Sequence, residues 1–92
     1  MNKKITSIME KEVIIKNNQG LHARPAAIFV QLANKFDSSI TVRKDNQEVN
    51  GKSIMGILML AAEKDSRVTI VAEGIDAQEA IEQLTGLVSK DE

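Results

Sequence analysis

The chain has 92 residues, a formal net charge of −1 and no cysteine. That length fits one small domain, and without cysteine the chain cannot form disulfides, thiolate metal centres or a cysteine nucleophile. Phe29 and Phe36 are its only Phe, Tyr or Trp residues, so it offers neither a stacking surface nor a basic surface for nucleic acid. Polar residues interrupt the apolar ones near the N-terminus, so no signal-peptide core forms there, and the longest apolar run, residues 54–62, is too short to span a membrane. The sequence therefore predicts a cytoplasmic protein without membrane insertion.

The first part of the chain predicts a leader, a strand and a helix. Residues 1–8 lack a regular pattern and are expected to form an N-terminal leader to a single domain over residues 9–92. Val and Ile occupy residues 13–15 ahead of a turn rich in Asn and Gly, which is typical of a strand. A helix is expected from Pro25 to about Lys35, because proline fits the first turn and apolar residues follow at helical spacing. Those apolar residues are Ala26, Phe29, Val30, Ala33 and Phe36.

Alternating apolar residues predict three further strands. Residues 40–43 alternate and are followed by Asp45 and Asn46, which favour the turn of a hairpin. The segment behind that turn is short and polar, so we expect it to be an edge strand. Residues 68–73 alternate in the same way and end at Gly74.

The last helix is predicted to begin after Asp76. Asp76 as the N-cap, with Glu79 three residues later, resembles a capping box. Its apolar stripe comprises Ala77, Ala80, Ile81, Leu84, Leu87 and Val88. The resulting order of elements predicts an α+β fold in which helices pack on one face of a mainly antiparallel sheet.

A third helix is predicted between the hairpin and the last strand, and its composition is unusual. Residues 53–62 have the length of a helix but are apolar on nearly every side. A small two-layer domain can cover only one face of such a helix, so part of it should be exposed. A contiguous exposed apolar patch usually marks a surface that binds a partner. The alternative is a central helix that is buried all round.

His22 is the single histidine and lies just ahead of the first predicted helix. A phosphoryl group on its imidazole would meet amides that lack partners within the helix, the positive end of the helix dipole and the guanidinium of Arg24. Neutral imidazole is also a nucleophile near pH 7. The alternative is that His22 serves only as a capping or turn residue. A metal site is disfavoured, because no carboxylate lies within a turn of His22.

Ser53 follows Gly51 and Lys52, a sequence that resembles the end of a phosphate-binding P-loop. The motif fails, because Asn46 stands where a P-loop requires glycine. As the N-cap of the apolar helix, Ser53 is expected to contribute about 1 kcal/mol. Phosphorylation of Ser53 would be tolerated by the helix N-terminus but would place charge beside the apolar patch, so docking would weaken while the fold survives.

Two segments carry a resemblance to a known family. They are Gly20-Leu21-His22-Ala23-Arg24-Pro25-Ala26 and Asn50-Gly51-Lys52-Ser53-Ile54-Met55-Gly56. Together with the ending from Ala72 to Ala80, they resemble the HPr family, the histidine phosphocarriers of the bacterial phosphotransferase system, over roughly residues 9–90. The resemblance implies an open-faced β-sandwich, βαββαβα, in which a four-stranded antiparallel sheet carries three helices on one face.

The resemblance also implies roles for individual residues. His22 would accept a phosphoryl group on Nδ1 from phosphorylated Enzyme I and donate it to EIIA-type domains, with Arg24 stabilising the phosphate. Ser53 would be the regulatory site of HPr kinase/phosphorylase in bacteria that have this enzyme. Partner docking would use Ile54, Met55 and Leu58, and the core would receive Ile57, Leu60 and Ala61. Such a carrier is a monomer that needs no cofactor or metal and has no independent turnover.

One departure from the pattern of the sugar-transport members concerns the end of the apolar helix. Met59-Leu60-Ala61-Ala62 stands where many of those members have Ser-Leu-Gly in the first three places. This resembles the nitrogen-regulatory or proteobacterial branch. The alternative function is therefore a regulatory binding module of that branch, acting through docking and Ser53 phosphorylation. A family relative that lacks the active histidine acts only as a regulator, so the presence of His22 favours the carrier.

Overall fold

Four strands and three helices follow one another in the order βαββαβα in the computed structural model, which describes residues 7–90. The elements are β1 (Ser7–Ile14), α1 (Ala23–Ala33), β2 (Ser39–Lys44), β3 (Gln47–Asn50), α2 (Ile54–Leu60), β4 (Arg67–Gly74) and α3 (Ala77–Val88). The strands form one antiparallel sheet in the order β1-β4-β2-β3, so β3 lies at an edge as predicted. The fold is an open-faced α+β sandwich, which confirms the predicted class.

One face of the sheet is apolar and packs against the helices. The largest fully buried aliphatic and aromatic side chains are Phe29, Ile15, Ile40, Ile57, Leu60, Ile70, Leu84, Val42 and Val68. The opposite face is open and carries ion pairs, of which Arg43–Glu10 spans 3.6 Å and Arg67–Glu12 spans 3.7 Å. Exposed pairs of this kind contribute at most about 1 kcal/mol each. The sheet is therefore stabilised mainly by the face that the helices cover.

The first strand is longer than predicted. β1 begins at Ser7, and its first pairs with β4 are Ser7 with Gly74 and Ile8 with Glu73. The boundary expected between residues 8 and 9 therefore falls inside this strand. The apolar pattern does not reveal a strand there, because Ile8 is on the open face, 64% exposed, and charged residues occupy the middle of the strand. Residues 1–6 of the expected leader and residues 91–92 of the expected domain lie outside the described residues.

Asp76 is the N-cap of α3, but its side chain does not cap that helix. The predicted capping box with Glu79 is therefore wrong. The Asp76 carboxylate instead accepts hydrogen bonds from the backbone N–H groups of Asp37 and Ser38, both at 2.9 Å, and from the Ser38 hydroxyl at 2.5 Å. These bonds join the start of α3 to the loop before β2. The Ser38 hydroxyl above all, and next the Asp37 N–H, hold the pKa of Asp76 below its usual value of 3.8.

This lowered pKa makes part of the stability dependent on pH. The contribution of ionised Asp76 is fully present above its pKa in the unfolded chain, and it is lost as the pH falls through the lower pKa of the folded protein. We therefore expect Asp76→Asn to reduce the free energy of unfolding at pH 7 and to flatten its decrease below about pH 4. Urea unfolding across this range measures both effects. Asp37→Asn removes a neighbouring side-chain charge and keeps the backbone N–H that bonds Asp76, so it should retain the wild-type slope. Parallel curves for wild type and Asp76→Asn would contradict the assignment.

Candidate functional site

His22 occupies the N-cap position of α1. Its backbone is extended, with φ −127° and ψ 163°, and its side chain makes no capping hydrogen bond. The side chain is half-buried. The ring is therefore neither packed into the core nor engaged in capping the helix, which leaves the imidazole available for chemistry.

The first turn of α1 supplies groups that suit an anion. The Ala26 N–H donates to the His22 carbonyl at 3.4 Å, so the amides of Ala23 and Arg24 lie before the first hydrogen bond within the helix. Pro25 has no N–H and lies in the first turn as predicted, although the helix begins two residues earlier, at Ala23. Arg24 is exposed. Backbone donors, the positive end of α1 and a guanidinium thus lie within two residues of the imidazole.

Ala23 makes the turn from the loop into α1 and has φ 50°. This left-handed conformation costs a residue with a Cβ roughly 1 kcal/mol. Ala23 directly follows the only histidine, so the strained position lies within the site itself. The contacts of the loop before it must hold this backbone in place.

Those contacts come from the segment that follows α2. The Leu21 N–H donates to the Ala62 carbonyl at 2.8 Å, and the Leu21 side chain is buried. Gly20 has φ 68°, and its N–H donates to the Asn17 carbonyl at 3.0 Å. The loop that presents His22 is therefore fixed against the C-terminal end of α2.

Helix α2 is half-exposed, as its composition predicted. Ile57 and Leu60 are buried, whereas Met55 and Met59 are 63% and 68% exposed. The exposed large side chains of this helix form one strip, here called the α2 surface: Ile54, Met55, Leu58 and Met59. The alternative of a helix buried all round is therefore wrong. The three residues predicted for docking all lie on this surface, and Met59 joins them because it follows Met55 by four residues, about one helical turn.

The prediction for Ala61 is wrong. Ala61 is exposed, and Ala62 is buried in its place. The reason is that α2 ends at Leu60 and Ala61 adopts the left-handed C-cap conformation, with φ 54°. This conformation reverses the chain, so Ala61 leaves the buried side of α2, where the family resemblance had implied a core position.

Ser53 is the N-cap of α2, as predicted. Its hydroxyl oxygen accepts a hydrogen bond from the Gly56 N–H at 3.1 Å. The preceding residue ties this end of α2 to the loop after α1, because Lys52 Nζ donates to the Phe36 carbonyl at 2.7 Å. Ser53 and His22 thus lie at opposite ends of α2, and the α2 surface extends between them.

A substitution on the α2 surface separates docking from folding. Met55→Glu should leave the free energy of unfolding within about 0.5 kcal/mol of wild type, because the side chain projects into solvent. If Enzyme I docks on this surface, as the family resemblance implies, Met55→Glu should weaken its binding about tenfold, since a charge would replace an apolar contact. Calorimetric titration with Enzyme I measures this effect. Ile75→Glu, which places the same charge at an exposed residue beyond β4, serves as the control; a large loss of stability in Met55→Glu would show that Met55 belongs to the core.

Two further properties concern the described part of the chain. Within residues 7–90, no group of three or more His, Asp or Glu side chains is arranged to hold a metal ion. No helix in that range is long and apolar enough to cross a membrane.

Known proteins resemble this chain over most of its length. The family described as "PTS HPr component phosphorylation site" matches residues 9–90. HPr-like protein Crh of Halalkalibacterium halodurans is 49% identical over 84 residues, which are 91% of this chain and 100% of that protein. Phosphocarrier protein HPr of Neisseria meningitidis is 42% identical over 82 residues, which are 89% of this chain and 92% of that protein.

Solved structures agree with these matches. The crystal structure of a phosphocarrier protein HPr from Bacillus anthracis superposes with a TM-score of 0.87 at 49% identity, covering 89% of this chain and 98% of that one. The solution structure of Crh from Bacillus subtilis gives a TM-score of 0.69 at 45% identity, covering 89% of this chain and 98% of that one. Because the family model spans residues 9–90 and relatives that are 42–49% identical cover about nine-tenths of the chain, the chain belongs to the HPr family.

Proposed function

We propose that this protein is a phosphocarrier of the phosphotransferase system. His22 accepts a phosphoryl group from phosphorylated Enzyme I and passes it to an EIIA-type domain. The observation that carries this proposal is the position of His22 at the N-cap of α1, where its ring makes no capping bond and Arg24 is two residues away. The protein cycles between two forms and turns over nothing by itself.

The transfer needs a nucleophile and a site for negative charge. A lone pair on Nδ1 of the neutral His22 ring attacks the donor phosphorus, and the bond from phosphorus to the donor breaks as the new P–N bond forms. The phosphoryl oxygens keep their charge throughout. The amides of Ala23 and Arg24 and the Arg24 guanidinium are the groups of this chain suited to bind that charge. The reverse attack, by a nucleophile of the EIIA-type domain, discharges the carrier.

Docking precedes either transfer. The α2 surface is the exposed apolar strip of the helix whose C-terminal end supports the His22 loop. We propose that Enzyme I and EIIA-type domains bind there, with Ile54, Met55 and Leu58 as the central contacts. Burial of such side chains supplies the affinity, and the position of the loop brings His22 to the partner's phosphorylated group.

Phosphorylation of Ser53 by HPr kinase/phosphorylase, in hosts that have it, regulates this docking in our proposal. The Ser53 oxygen attacks the γ-phosphorus of ATP, ADP leaves and the hydroxyl proton is released. The resulting charge of about −1.5 to −2 lies at a helix N-terminus, which tolerates it, and next to Ile54, where an apolar partner surface does not.

A regulatory binding module is the second candidate, and the similarity to Crh favours it. The solved Crh of Bacillus subtilis is described as a catabolite repression HPr. A protein of this kind would use the α2 surface and Ser53 and would need no phosphoryl transfer through His22. Solved relatives also include dimers, of Crh and of HPr from Thermoanaerobacter tengcongensis. The monomer predicted from the sequence thus remains a prediction, which sedimentation equilibrium of the pure chain checks.

Labelling separates the two candidates. The purified chain is incubated with Enzyme I and labelled phosphoenolpyruvate, and then with EIIA-type domains of the host. A carrier acquires phosphate that is labile in acid and stable in alkali, as a phosphohistidine is, and loses it to an EIIA-type domain. A chain that stays unlabelled while Enzyme I is labelled is not a carrier, and the regulatory module then stands.

Ser53→Asp imitates the regulatory charge. Aspartate is as good an N-cap as serine, so the free energy of unfolding should stay within about 0.5 kcal/mol of wild type. The rate of phosphoryl transfer from Enzyme I should fall about tenfold, equivalent to about 1.4 kcal/mol of docking free energy. Quenched-flow transfer assays measure the rate. Gln78→Glu adds a charge to the first turn of α3, away from the α2 surface, and should transfer normally; equal rates for Ser53→Asp and wild type would remove the switch.

A further inference from the structure

A cleft lies on the other side of α1 from the α2 surface. It has a volume of about 490 Å³ and is formed by the first turns of α1, the last turns of α3 and the loop from β1 to α1. Neither His22 nor any residue of the α2 surface lines it. Its size falls within the usual range of small-molecule sites, roughly 300–1,000 Å³.

The walls of the cleft are largely aliphatic. Ile28 from α1 and Leu87 from α3 both line it, and Leu21 and Pro25 contribute to the same lining. Ile28 is 41% exposed although the opposite side of α1 is buried in the core. The cleft therefore presents apolar area to solvent that a ligand could cover, at a gain of about 25 cal/mol per Å².

The charged groups of the cleft are all positive. Arg24 and Lys90 line it, and no Asp or Glu among residues 7–90 does so. Neither cation is in an ion pair with another residue of that range. The amide side chains of Asn17 and Gln19 add neutral donors beside the loop. An occupant that neutralises these cations must be an anion, and its remainder must be apolar to match the walls.

We propose that this cleft is a binding site for a small organic anion with an apolar body. The acidic head group, a carboxylate or a phosphate monoester, binds Arg24 and Lys90, and the body packs between Ile28 and Leu87. Arg24 also belongs to the phosphoryl site of the proposed function, so an occupant would compete with phosphorylated His22 for its guanidinium. That consequence rests on the proposed function, whereas binding itself does not.

Methyl NMR of the full chain tests the binding directly. The chain is titrated with octanoate and with octyl phosphate below their micelle-forming concentrations, and with octanol as the neutral analogue. Saturable shifts are expected at the Ile28 and Leu87 methyls with both anions and not at Ile54 or Leu58. Octanol should bind more weakly by about two- to fivefold, the usual range for exposed charge contacts. Whichever anion binds more tightly identifies the preferred head group.

Two variants and a control locate the site. Lys90→Gln should weaken binding of the anions about two- to fivefold and leave octanol unaffected. Ile28→Glu should weaken anion binding about tenfold, because it places a negative charge in the cleft that repels the negatively charged ligand. Ile75→Glu should bind as wild type. The proposal is overturned if the cleft methyls show no saturable shift, if octanol binds as tightly as the anions, or if both cleft variants bind as wild type. Since no phosphoryl transfer enters the readout, such a failure leaves the phosphocarrier proposal standing.

Discussion

His22→Ala is expected to abolish labelling of the chain by Enzyme I and phosphoenolpyruvate. The chain has a single imidazole, so no second side chain can form a phosphohistidine. The free energy of unfolding should change by less than about 1 kcal/mol, because His22 is half-buried and its side chain does not cap α1. Treatment of the labelled protein with acid and with alkali checks the loss of phosphohistidine, and a thermal melt checks the small change in stability.

A second variant shows whether the loss is chemical. Arg24→Gln removes a guanidinium from the site and keeps the imidazole, so it should slow transfer without abolishing the label. Binding of Enzyme I by His22→Ala should remain, since the α2 surface is intact. Undiminished labelling of His22→Ala would show that another group accepts the phosphoryl, and the carrier proposal in its present form would then fail.

Gly20→Ala is expected to destabilise the protein by about 2–4 kcal/mol. A Cβ at Gly20 would lie 2.5 Å from the Ala62 carbonyl oxygen and 2.9 Å from the Glu63 Cα, and both are backbone atoms that cannot rotate away. The left-handed conformation adds roughly 1 kcal/mol to this crowding. For a domain of this size the melting temperature should fall by about 10 °C or more. Differential scanning calorimetry measures the decrease.

Gly86→Ala is the matched control for this change. Gly86 lies inside α3, and a Cβ there meets no atom within 4 Å. Alanine is the better helix former, so this variant should gain about 0.5–1 kcal/mol and melt higher than wild type. If Gly20→Ala melted with Gly86→Ala rather than far below it, the contact between the His22 loop and the segment after α2 would not be as described.

Local patterns in the sequence were sufficient to predict most of the fold and the positions of His22 and Ser53 at the starts of two helices. The stripe of α1, the alternation in β4 and the Ser53 cap each depend on residues close together in the chain, and the structure has all three. His22 and Arg24 could be paired from sequence because they are two residues apart. The expected partners came from the family resemblance alone, because helical and strand periodicity carries no information about partners.

The predictions that failed depended on distant contacts. The Asp76 carboxylate accepts hydrogen bonds from residues 37 and 38 instead of capping its own helix. No residue within one turn of Asp76 indicates this pairing. Ala61 is the exception: it is exposed because it adopts the left-handed C-cap conformation at the end of α2, which is a local feature. The cleft between α1 and α3 was likewise missed, since it brings together residues from the two ends of the chain. Contacts between distant segments depend on how the elements pack together. Helical and strand periodicities describe single elements, so they do not predict such contacts.

The hydrogen bond from Lys52 to the loop after α1 affects how strongly a phosphate on Ser53 would repel a docking partner. The ammonium group next to Ser53 in the chain is already engaged by the Phe36 carbonyl, 2.7 Å away. Neutralising a new anion at Ser53 with this cation would require breaking that bond, which joins the start of α2 to the loop after α1. A negative group on Ser53 would therefore not be neutralised by Lys52, and an approaching apolar protein surface would have to cover that charge.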